Sequence, residues 1–221
     1  METKIYELVA SEFSWNISPA KTITAWGFNE MVPGPTLQAK KGDRLVVKVT
    51  NKLSEATVIH WHGIQLPSGM DGTDSVQSPI APGESFEYTF TVPDAGTFWY
   101  HSHQNEAVQM ERGMYGALIV KDPDDFLLDG ERVLMIDDMK LTSKNEFQKG
   151  NLISKWVERH DGREGNTLLI NGQENTEIPM RAGQTERWRI INSSSARYFR
   201  LYFDGIPFKI ISTDGGLIER P

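Results

Sequence analysis

Two short stretches of this sequence could do chemistry. Val58-Ile59-His60-Trp61-His62-Gly63 and Phe98-Trp99-Tyr100-His101-Ser102-His103 each contain a His-x-His pair. The chain has five histidines, and four of them sit in these two pairs. Both pairs lie among β-branched and aromatic residues, which favour strands. Along a strand, residues two apart share a face, with Cα atoms roughly 6.6–7 Å apart. His60 and His62 therefore point one way and Trp61 the other. His101 and His103 share a face with Trp99, and Ser102 points away. Two such strands side by side bring four imidazoles to one patch, a spacing that suits one metal ion or two neighbours.

A single pair of this kind is commonly packing and hydrogen bonding; two pairs in one domain favour metal. Neutral imidazoles without thiolates suit copper, zinc or nickel, and copper binds most strongly in the first-row order. The sequence contains no cysteine. Disulfides, thiolate zinc sites, a cysteine nucleophile and a cysteine-ligated blue copper centre are all excluded within it.

The elements that must position these pairs read as strands. After the turn Lys41-Gly42-Asp43, Leu45, Val47 and Val49 alternate with Val46, Lys48 and Thr50, the period of a strand with one buried face. Pro82-Gly83 precedes Phe86, Tyr88, Phe90 and Val92, which alternate with Glu87, Thr89 and Thr91. Pro33-Gly34-Pro35 reads as a further turn, and Pro93-Asp94-Ala95-Gly96 turns the chain into the second histidine strand. Tyr115 to Val120 closes this unit, and Asp122-Pro123-Asp124-Asp125 reads as a linker. Short strands at this frequency predict an all-β sandwich or barrel.

Val133 to Ile136 opens a second unit, followed by a polar insertion over residues 140–166 with a short helix expected near Leu152 to Val157. An internal echo then appears: residues 41–51 resemble residues 182–192, each placing Gly nine residues before Asn with a β-rich stretch between. Gly63-Ile64 is echoed by Gly205-Ile206. The echo sets His60 and His62 opposite Tyr202 and Asp204, so the second copy lacks the ligand pair. Val120 lies 57 residues beyond Gly63, whereas Pro221 lies 16 beyond Gly205. The expectation is one complete unit over residues 1–122 and a second over 123–221 that stops in mid-domain.

Composition narrows the function. The 221 residues are 38% hydrophobic and 24% charged, ordinary for a globular protein. Lys plus Arg is 23 against 30 for Asp plus Glu, a net charge of −7, which argues against a nucleic-acid partner. No apolar run approaches the ~18–20 residues of a membrane span. Met1-Glu2-Thr3-Lys4 lacks the apolar core of a signal peptide.

His60-Trp61-His62-Gly63, followed by His101-Ser102-His103 about 40 residues later, resembles the first cupredoxin domain of the multicopper oxidases, the family of laccases, ascorbate oxidase, bilirubin oxidase and bacterial copper-tolerance oxidases. Pro33-Gly34-Pro35-Thr36 and Gly113-Met114-Tyr115-Gly116-Ala117-Leu118-Ile119-Val120 extend the resemblance. Asn192-Ser193-Ser194, Arg197 to Leu201 and Asp214-Gly215-Gly216 are similar to the middle domain of three-domain members. The resemblance implies a cupredoxin-like Greek-key β-sandwich, one domain complete and a second incomplete. It implies that His60 ligates the type 2 copper of a trinuclear cluster, and that His62, His101 and His103 ligate the type 3 pair. The other four of the cluster's eight histidines, and the type 1 copper with its cysteine, belong to a third domain that has no counterpart here.

Asp71, in Gly69-Met70-Asp71-Gly72, falls where the family carries an acidic residue beside the type 2 copper that assists proton delivery; Asp-Gly is equally a favoured turn dipeptide. The remaining features read as structural. His160 is expected on the solvated surface, Met110 and Met114 in packing, and Trp99 and Tyr100 in the core, with stiffening of the site or electron transfer as the alternative for these two aromatics. Arg187, Arg189, Arg197 and Arg200 read as a solvated, ion-paired face of strands.

The resemblance thus implies the N-terminal portion of a laccase-like oxidase, coupling oxidation of phenols, aromatic amines or metal ions to reduction of dioxygen to water. Its partners would be dioxygen, a small reducing substrate, and the missing C-terminal part or another copy of the chain, in a periplasmic or secreted setting. A non-catalytic copper-binding cupredoxin fragment is the alternative. A mononuclear zinc protein or hydrolase is a third reading, with Asp71 and Asp74 as its candidate bases.

Overall fold

The alternation read from the sequence recurs as two facing sheets. The computed structural model describes residues 1–73, 75–123, 128–148, 162–214 and 216–219. The first eight strands are β1 (Thr3–Ser18), β2 (Lys21–Phe28), β3 (Gly34–Lys40), β4 (Arg44–Asn51), β5 (Ile59–His62), β6 (Ser85–Thr91), β7 (Gly96–Ser102) and β8 (Tyr115–Lys121). One sheet runs β2-β1-β4-β6 and the other β3-β8-β7-β5. Leu45, Val47 and Val49 from β4, with Tyr88 and Phe90 from β6, meet Trp61, Phe98, Tyr100 and Leu118 from the opposite sheet in one buried core. The fold is an all-β cupredoxin sandwich.

Further strands are β9 (Gly130–Met139), β10 (Thr167–Ile170) and β11 (Glu186–Asn192), in the order β10-β9-β11, and a short hairpin of β12 (Ser212–Thr213) and β13 (Gly216–Leu217). The internal echo has a conformational counterpart. Gly42 and Gly183 hold φ of +87° and +83°, each in a turn before its strand. Asn51 and Asn192 then accept from the backbone N–H two residues on, at 2.9 Å and 3.1 Å. β4 lies parallel to β1 as β11 lies parallel to β9.

A second apolar core joins the two sets of strands. Trp15, Ile17, Ile23 and Ala25 of β1 and β2, with Tyr115, Ala117 and Ile119 of β8, pack on Met135, Met139, Leu169 and Ile191. Polar groups pin the same contact. The buried Tyr115 hydroxyl donates to Asp137 Oδ2 at 2.6 Å, and Arg189 Nη1 donates to Thr97 Oγ1 at 2.8 Å.

Several local expectations change. Only Pro33 of Pro33-Gly34-Pro35 precedes a strand, because β3 already begins at Gly34. Arg187 and Arg189 are not a solvated face: they are 8% and 9% exposed, buried where β11 meets β9, with Glu131 as their carboxylate. Arg197 and Arg200 lie outside the strands, and Arg197 Nε donates to the buried Asp138. Met110 and Met114 are buried in packing, as their surroundings predicted. The helix expected near Leu152 to Val157, together with Asp74 and His160, falls outside the described residues.

Candidate metal centre

β5 and β7 are antiparallel neighbours, in a register that sets His60 opposite His101, Trp61 opposite Tyr100 and His62 opposite Trp99. Directly opposed residues on paired strands point to the same face, so His60, His62, Trp99 and His101 lie together. Trp61 takes the other face and is fully buried against Tyr88, Phe90 and Tyr100. The apolar alternate residues thus anchor the strand and expose the histidines. His103 follows the end of β7, where its backbone N–H donates to Val58 O at 3.1 Å, keeping it beside the others.

The four imidazoles converge. Ring centroids of His62, His101 and His103 lie 5.6, 5.3 and 5.5 Å from that of His60. His60, His62 and His101 each offer a ligand nitrogen within 4.8 Å of the other two. His62 Nδ1 lies 3.4 Å from His101 Nε2, long for a hydrogen bond. At that separation both nitrogens reach a single ion held about 2.0–2.1 Å from each.

Backbone carbonyls orient two of the rings. His60 Nδ1 meets Asp71 O at 2.8 Å, and His101 Nδ1 meets Ser102 O at 2.9 Å. A carbonyl only accepts, so each Nδ1 carries the proton and each Nε2 keeps its lone pair for a metal. Burial pushes His101 down to about 3, and the neighbouring His60, His62 and His103 push the same way against its Ser102 hydrogen bond. Burial, then the His60 charge, also lowers His62. Both effects favour the neutral ring that ligates metals. The donor set is all imidazole, with no thiolate, and it fits copper.

Asp71 reaches the patch through both its groups: besides the carbonyl, its Oδ1 lies 3.6 Å from His60 Nδ1. It caps the short 3-10 turn Ser68–Met70, so the turn and the contact with His60 coexist in one residue. Trp99, read as core packing, does pack against the second apolar core and also stacks against the histidines. Its ring lies 4.4 Å from that of His101 and 5.0 Å from that of His62. The alternation that puts Trp99 on the histidine face was the available signal.

Sequence reasoning missed two residues. Glu106 opens the one-turn helix α1 (Glu106–Gln109) and brings its carboxylate 3.7 Å from His101 Nδ1 and 4.0 Å from His103 Nε2. Its spacing of three from His103 is a helical one, but a single turn leaves little periodicity to read. Gln109 is fully buried at the end of that turn, where its Oε1 accepts from Ser102 Oγ at 2.5 Å and from Thr57 Oγ1 at 2.8 Å. It fastens the turn to the strand between His101 and His103.

Comparison with known proteins places this geometry in a family. A multicopper oxidase family model matches residues 10–125 and a second matches residues 131–221. Copper resistance protein A of Escherichia coli is 32% identical over 97% of this chain, and L-ascorbate oxidase of Cucurbita pepo var. melopepo 43% identical over 66%. Among solved structures, a multi-copper oxidase from Pseudomonas thermotolerans superposes with a TM-score of 0.81 at 35% identity, covering 87% of this chain and 47% of that one. Lac15 from a marine microbial metagenome gives 0.82 at 33%, covering 99% and 55%. The chain spans 42% of the Escherichia coli relative and 27% of the ascorbate oxidase. Matched by its family models along nearly its whole length, with two histidine pairs brought to one patch, the chain belongs to the multicopper oxidase family.

Proposed function

We propose that His60, His62, His101 and His103 hold copper, and that this chain is the N-terminal portion of a laccase-like oxidase. One observation carries the reading: His62 Nδ1 and His101 Nε2 face each other at 3.4 Å in a cluster of four imidazoles. In this reading His60 serves the type 2 copper and the other three histidines the type 3 pair. Bound copper supplies one-electron redox chemistry, by which four electrons from a small reductant (a phenol, an aromatic amine or a metal ion) and four protons convert one dioxygen to two waters.

The chain's own residues hold and orient. Asp71 and Ser102 fix the His60 and His101 tautomers through their carbonyls. The Asp71 carboxylate, 35% exposed and beside His60, is placed to hold a proton between solvent and the patch. His60, His62 and His103 are reachable from outside, which leaves room for ligands from more of the same polypeptide or from another copy of the chain. Residues 1–122 act as the ligand-bearing cupredoxin unit, and 123–221 as a second unit without ligands. A periplasmic or secreted location accompanies the reading; no described helix is long and apolar enough to cross a membrane.

Copper(II) titration of the chain, followed by electron paramagnetic resonance, tests this. Uptake with a nitrogen-ligated signal and no intense blue band is expected, because a cysteine thiolate is what gives that band and the chain has none. Absence of copper uptake overturns the assignment. Oxygen consumption with a phenolic substrate is expected only once the remaining ligands are supplied.

A further inference from the structure

His60 and His101 are oriented by hydrogen bonds to carbonyls, but His62 is not. Among the described residues, the one hydrogen-bond-range contact of the His62 ring is the 3.4 Å approach to His101. Its residue is exposed at the end of β5, where a side chain has rotamers to spare. What holds the ring is an aromatic face: Trp99 lies opposite it in the strand register, with centroids 5.0 Å apart and planes 33° apart. The same indole lies 4.4 Å and 31° from His101. It backs the two rings whose nitrogens approach each other. Trp99 is itself fixed, because its other neighbour in register is the small Ala117 of β8 and it packs against the second apolar core.

The geometry points to Trp99 as the positioning residue for His62: its indole plane presets the Nδ1 of His62 toward the Nε2 of His101, the task that carbonyls perform for His60 and His101. The inference rests on the copper reading above and adds a residue outside the ligand set. A bidentate pair preset in this way binds without first ordering a free ring, so loss of the stack weakens copper rather than the fold. Outer partners of metal ligands commonly contribute 10–100-fold in affinity.

The test is copper(II) affinity of the full 221-residue chain, measured in competition with a chelator of known strength. Trp99→Leu keeps an apolar side chain, though a smaller one, and removes the plane; it is expected to weaken copper by about tenfold or more, while Trp99→Phe stays near wild type. In a His62→Ala background, Trp99→Leu is expected to add no further loss, since the ring it positions is gone. Independently of any variant, the metal-free wild-type chain should show His62 and His101 ring protons shifted upfield by the indole ring current. Wild-type affinity in Trp99→Leu, an equal loss in the His62→Ala background, or unshifted ring protons would each overturn the inference and leave the copper assignment standing. A wild-type chain that takes up no copper removes both.

Discussion

Gly72 lies flat against the backbone of Ile59, the residue before His60. Its φ is +72°, and a Cβ there would overlap the Ile59 carbonyl and crowd the His60 nitrogen. This close approach seats the turn that carries the Asp71 carbonyl to His60 Nδ1. Gly72→Ala is therefore expected to cost at least about 2 kcal/mol, from the left-handed backbone and the forced separation together. It should also lower copper affinity, because His60 loses its orienting acceptor. Denaturant unfolding and copper titration check the two halves; an unchanged unfolding midpoint would show that the turn is not seated by this contact.

The ligand assignment makes a sharper claim about individual rings. His62→Ala and His101→Ala each remove one of the two facing nitrogens and are expected to reduce copper(II) affinity on the order of 100-fold, the upper end of the effect of an outer partner. His160→Ala, in a histidine belonging to neither pair, is expected to leave copper binding unchanged. The same loss in all three variants, measured against a competing chelator, would mean that the titration reports nonspecific imidazole binding.

How much of this was legible beforehand follows from periodicity. The period-two pattern over Leu45 to Val49 and Phe86 to Val92 foretold which side chains are buried, because both strands lie mid-sheet or face a single core. The histidine faces followed from the same rule, and so did the position of Trp99, though not its stack. The arginines of β11 did not follow. Alternation cannot tell a solvated face from one covered by another set of strands, and Arg187 and Arg189 are buried by that second contact. Glu106 and Gln109 stayed hidden for another reason: a single helical turn has no period, and only the fold shows which way its side chains turn, Glu106 toward His101 and His103 and Gln109 toward Ser102 and Thr57.

Asp137 makes stability depend on pH at the junction of the two cores. Burial pushes its carboxyl up to about 7, outweighing the hydrogen bond it accepts from Tyr115. The unfolded carboxyl ionises near 3.8. Between those values the folded chain retains a proton that the unfolded chain releases, so stability falls as pH rises from about 4 to 7. Asp137→Asn removes the titration and can still hydrogen-bond Tyr115. Relative to that variant, the wild type is expected to lose about 2–3 kcal/mol between pH 5 and pH 7.5. Parallel unfolding curves at the two pH values would show that Asp137 ionises as freely in the folded state.

Glu131 is the carboxylate on which the charged part of the same junction depends. Its Oε1 accepts from Arg189 Nε at 2.8 Å, and its Oε2 lies 3.2 Å from Lys121 Nζ. Arg189, 9% exposed, also reaches Thr97 on β7, so it bridges the two sets of strands. Removing one partner of a buried pair strands the other charge out of water, which commonly costs 3–5 kcal/mol. Glu131 is 30% exposed, and solvent screening brings the expected loss for Glu131→Ala to about 2–3 kcal/mol. Glu131→Gln, which keeps an oxygen for Arg189, should lose less. Arg189→Met in the Glu131→Ala background should recover part of the loss, because the stranded guanidinium is gone and an apolar side chain of similar length fills its place. Denaturant unfolding of the three variants decides the matter. If the double variant is no more stable than Glu131→Ala, the cost lies in lost packing at β9 and not in the uncompensated charge.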